Sequence, residues 1–110
     1  MHIELLWFAG CPHHLDAERL LNERMSALGV TGTITRIEVP DEQMGRDVCF
    51  PGSPTIRVDG DDVEPGWVPC EDCTPRCRLY MTSLGLRGLP ERAWIDRALL
   101  AAPGNGGTAA

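Results

Sequence analysis

The residues best suited to chemistry in this 110-residue chain are its five cysteines, Cys11, Cys49, Cys70, Cys73 and Cys77. The first stands in Cys11-Pro12-His13-His14, between an apolar run and a segment with helical periodicity. A thiol at a helix N-terminus meets unpaired N–H groups and the positive end of the macrodipole, both of which favour thiolate. Cys11 is therefore a candidate nucleophile or soft-metal ligand, against the plainer reading of a small residue filling a turn. A protonated His13 or His14 in that first turn would favour the thiolate further.

The segment Cys70-x-x-Cys73-x-x-x-Cys77 concentrates three thiols in eight residues. Such a set suits a thiophilic ion, Zn(II), Cu(I) or Hg(II), with Cys11, a histidine or an open position as the fourth ligand. Only one paired-ligand knuckle is present, where a full zinc site usually shows two. The same spacing allows Cys70 and Cys73 to close a strained, reducible disulfide. Cys49, between Val48 and Phe50, reads as a core residue, with a resolving thiol for Cys11 as the alternative.

Composition narrows the partners. The net charge is −6, and all ten basic residues are arginines scattered along the chain, which argues against nucleic acid. No basic residue precedes the N-terminal apolar run, and that run is too short for a signal segment or a membrane span. The expectation is a cytoplasmic protein with no membrane partner, whose odd number of cysteines serves redox or metal chemistry rather than a disulfide framework. The carboxylates are dispersed, and neither a phosphate-cradling loop nor a nucleophile elbow is present. Trp7, Trp67 and Trp94 read as anchors in or near the core.

These residues must be positioned by alternating strands and helices. Residues 3–8 hold four consecutive apolar residues, as in a strand covered on both faces. Ala17, Leu20, Leu21, Met25 and Leu28 recur at helical spacing over 14–28, with Pro12 in the entry turn and Gly29 just past the end. A β-branched strand over 31–39 follows, then a short helix capped by Asp41 and ending at Val48. Residues 55–58 and 62–64 make a hairpin around Asp59-Gly60. Residues 65–89 read as an irregular excursion whose one candidate element is a helical turn near 77–84. A last helix opens at Pro90 and carries Trp94, Ile95, Ala98, Leu99 and Ala102 on one face. One domain over 1–102 with a loose tail over 103–110 is expected.

This order, with a cysteine at the first strand-to-helix junction and Gly52-Ser53-Pro54-Thr55 entering the third strand, resembles the thioredoxin fold over residues 2–64 and the last helix. More closely, "GSPTIRVDGDDVEP", "CRLY" and "GLPERAWIDRAL" look like a group of small bacterial thioredoxin-like proteins, some named after alkylmercury lyases. The resemblance implies a single α/β domain: a central mixed sheet of about four strands, helices packed on it, and a Cys-rich loop before the last helix. It also implies a cis Ser53–Pro54 bond beside Cys11, with Ser53, Pro54 and Thr55 holding an extended peptide or thiol substrate. The family's C-x-x-C is here C-P-H-H, so no local disulfide can form at Cys11. What remains is monothiol chemistry, ligation of a soft metal, or a disulfide to a distant cysteine: Cys77, which matches the cysteine of "CRLY", or Cys70 or Cys73.

Three functions follow as expectations. The first is a thiol redox protein in which Cys11 attacks a disulfide or an electrophilic metal species and the second thiol resolves the product. The second is a non-catalytic protein that sequesters a heavy-metal ion through Cys70, Cys73, Cys77 and Cys11. The third is carbon–mercury bond cleavage, with Asp72 as the nearest proton donor. The spacing of Cys73 and Cys77 is also that of the last two ligands in thioredoxin-like [2Fe–2S] ferredoxins, whose second ligand has no counterpart in the first helix here.

Overall fold

Adjacent buried leucines in a strand need cover on both sides of the sheet, and Leu5 and Leu6 receive it. A computed structural model describes residues 1–67 and 72–101. In it β1 (His2–Trp7) lies parallel to β2 (Thr33–Glu38) and antiparallel to β3 (Thr55–Val58), and β4 (Asp61–Asp62) extends β3. The result is a mixed four-stranded sheet in the order β2-β1-β3-β4.

One face of the sheet presents Ile3, Leu5, Ile56 and Val58 to α1 (His14–Leu28) and α3 (Arg92–Ala101). Ala17, Leu21 and Met25 supply the α1 stripe, and Ile95 and Leu99 that of α3. Each fully buried side chain of this size contributes about 1.5–3 kcal/mol before conformational entropy is set against it. The two helices are further joined by Arg24, which donates to both carboxylate oxygens of Asp96 at 2.7 and 3.0 Å. The opposite face buries Leu6 with Val39 and Phe50 under α2 (Glu42–Val48). The Asp41 side chain accepts the Met44 N–H at 2.9 Å, which makes it the cap that the sequence indicates.

Residues 77–84 do not form the expected helical turn. They run into a hairpin of β5 (Tyr80–Thr82) and β6 (Gly85–Arg87), with Tyr80 opposite Arg87. Burial there alternates with a period of two: Arg78 and Tyr80 are buried while Leu79 and Met81 face solvent. A helix could not have put Arg78 and Tyr80 on one side, so anchoring those two side chains selects the extended form. The return strand is shorter than expected, pairing only Asp61 and Asp62, and α3 begins at Arg92 rather than Pro90. The tail over 103–110 lies outside the described residues.

The register brings several segments to one end of the sheet. Leu6 lies opposite Thr55, so the turn that follows β1 meets the segment that enters β3. The Val39 N–H donates to the Trp7 carbonyl at 2.7 Å, so the entrance to α2 is there as well.

Candidate functional site

Cys11 occupies that end of the sheet, in the turn from β1 to α1. Its N–H donates to the Phe8 carbonyl at 3.0 Å, and the residue is only 4% exposed. The Sγ accepts the His13 N–H at 3.3 Å. Thus the sulfur's hydrogen-bond donor is a backbone amide. The imidazoles are engaged elsewhere: the His14 ring stacks on Trp7 at 4.4 Å between centroids, while the His13 ring lies against Gly88 with Nδ1 4.0 Å from Asp16.

The Ser53–Pro54 bond is cis, and every residue from Pro51 to Ile56 is buried. The cover comes from the chain itself. The Ser53 N–H donates to the Arg76 carbonyl at 2.8 Å, and the Arg78 N–H donates to the Ser53 carbonyl at 2.9 Å, so Ser53 and Cys77 form a parallel bridge. The backbone groups read from the sequence as a shelf for substrate are therefore paired with residues 76–78. Two glycines permit this approach. A Cβ on Gly45 of α2 would lie 2.0 Å from the Cys73 carbonyl oxygen; one on Gly52, whose φ is +130°, would lie 2.8 Å from Arg78 Cβ. The Thr74 hydroxyl reaches Glu42 Oε1 at 3.3 Å.

Arg78, to which sequence reasoning assigned no role, is the most heavily engaged side chain at this end. It is 6% exposed and donates to Asp62 at 2.7 and 3.2 Å, to Glu64 at 2.8 Å and to the Thr55 hydroxyl at 2.9 Å. Its guanidinium also stands 4.3 Å from the centre of the Tyr80 ring. The Tyr80 hydroxyl donates to the Pro54 carbonyl, and Thr55 donates to the Gly52 carbonyl at 2.6 Å. Burial pushes the Tyr80 phenol well above its ordinary range. Asp62 at the end of β4 and Glu64 in the bend that follows both reach the guanidinium; two carboxylates so close were the available sequence signal for a buried cation, but nothing local pointed to Arg78 as the cation.

The other cysteines among the described residues are Cys49, Cys73 and Cys77. Cys49 is not a core residue: it ends α2 in the left-handed conformation with φ 52°, which turns it out to solvent, and Phe50 takes the core position. Cys77 is exposed, Cys73 half-buried, and Cys70 lies outside the described residues. Cys11, Cys49 and Cys77 are free thiols. Among the described residues no three His, Cys, Asp or Glu side chains converge as metal ligands, so Cys11, Cys73 and Cys77 do not form a three-ligand centre on their own. Asp72 is poorly suited to donate a proton: hydrogen bonds from the Thr74 side chain and backbone, together with Arg76, hold its carboxyl below the usual carboxylate range. Among the described residues no helix is long and apolar enough to cross a membrane.

No family model, curated protein or solved structure matches the chain.

Proposed function

We propose that the protein is a thiol redox protein of thioredoxin fold, with Cys11 as nucleophile and Cys77 as its partner. The observation that carries this reading is the pairing of Cys77 with Ser53 at the end of the sheet where the chain leaves β1 for Cys11. The strand order, the parallel β1–β2 pair and the antiparallel β3 agree with it.

In this mechanism the Cys11 thiolate attacks one sulfur of a substrate disulfide. The S–S electron pair leaves with the other sulfur, which takes up a proton. The Cys77 thiol then gives up its proton and attacks Cys11 in the mixed disulfide, forming a Cys11–Cys77 bond and expelling the second substrate thiol. The substrate gains two electrons and two protons, and the cysteine pair is oxidised. An external dithiol restores it.

The test uses oxidised glutathione on the reduced protein, followed by peptide mapping without reductant. A Cys11–Cys77 disulfide in the wild type, and a Cys11–glutathione adduct trapped in Cys77→Ser, are expected. Glutathione carried on other cysteines with Cys11 untouched would overturn the reading. Stoichiometric zinc in protein purified under reducing conditions, lost in Cys73→Ser, would replace it with metal handling.

A further inference from the structure

We propose that residues 72–78 are a strap that fills the Ser53 shelf from within the chain, so that an extended polypeptide reaches Cys11 only by displacing it. This rests on the reading of Cys11 as the reacting thiol. An extended substrate held at Ser53 would need its N–H and C=O, the groups through which one strand adds to another. Both are already used, by the Arg76 carbonyl and the Arg78 N–H. The segment around them, residues 51–56, is buried, and so is Cys11.

The strap is held at both ends. Its Arg78 end is locked by Asp62, Glu64, Thr55 and Tyr80. At the Cys73 end the strap backbone packs on Gly45, Thr74 reaches Glu42, and Arg76 donates to Asp72 at 2.6 Å. The occupant also indicates the class of molecule that can replace it: an extended polypeptide with a cysteine residue opposite Ser53, as Cys77 is now.

Gly45→Ala tests this directly. Alanine suits a helix interior better than glycine, so α2 tolerates it, but the new Cβ would fall 2.0 Å from the Cys73 carbonyl oxygen and push the strap away. Amide exchange at Ser53 and Arg78, and site-resolved alkylation of Cys11 by iodoacetamide and by a maleimide–polyethylene glycol, are compared in the two proteins. Both amides should exchange at least about tenfold faster in Gly45→Ala, with a similar gain in Cys11 labelling that is larger for the bulky reagent. If Gly45→Ala loses its native tryptophan fluorescence, Glu64→Gln, which removes one anion from the Arg78 lock, supplies the same readouts. Ready and equal Cys11 labelling in variant and wild type overturns the strap while leaving the thiol reading intact. Cys11 inert in both proteins, despite faster exchange at Ser53, overturns the thiol reading and with it the proposal.

Discussion

Replacing Arg78 with methionine would remove the cation from a buried cluster while keeping most of the side-chain volume. Asp62, 1% exposed at its side chain, would lose the guanidinium but retain the Glu64 N–H that it accepts at 2.9 Å. Breaking a buried pair by deleting one partner costs about 3–5 kcal/mol, and the surviving N–H contact places this case near the lower end, about 3 kcal/mol. With a urea dependence of roughly 2 kcal/mol per molar, the midpoint should fall by about 1.5 M. Urea melts followed by the fluorescence of Trp7, Trp67 and Trp94 measure it. The diagnostic comparison is Arg78→Met with Asp62→Asn: the asparagine still accepts from Glu64 but carries no charge, so the double variant should recover about 2 kcal/mol of the summed single losses. If Arg78→Met costs less than about 1 kcal/mol and the two changes add within about 0.5 kcal/mol, the cluster is not the anchor of the strap.

Tyr80 is the only tyrosine, so absorbance at alkaline pH reads one phenol. Because burial raises its folded value, the fold should stay un-ionised as pH passes the ordinary value of 10.0, and its contribution to stability, complete below that pH, should decline above it; a normal titration with intact fluorescence would contradict the burial. Gly52→Ala combines a φ of +130° with a Cβ 2.8 Å from Arg78 Cβ, and should cost about 2 kcal/mol or more in the same urea assay. A loss below about 0.5 kcal/mol would show that the strap backbone does not approach Gly52 so closely.

Local sequence determined the sheet and helices because their signals are periodic and short in range. Ala17, Leu21 and Met25 spell one helical face, Leu5-Leu6 demand cover on both sides, and Asp41 caps α2; each was legible without knowing the neighbours. The cysteine at the strand-to-helix junction was legible in the same way. What only the tertiary structure decided is where residues 72–78 go and what that does to the site. Their pairing with Ser53 joins segments more than twenty residues apart, and it depends on the missing side chains of Gly45 and Gly52 and on Arg78 finding Asp62 and Glu64. No periodicity records such a contact, because it is specified by shape and charge brought together across the fold. That is why 77–84 could be read as a helical turn, and why Ser53 could be read as an open shelf when the chain itself fills it.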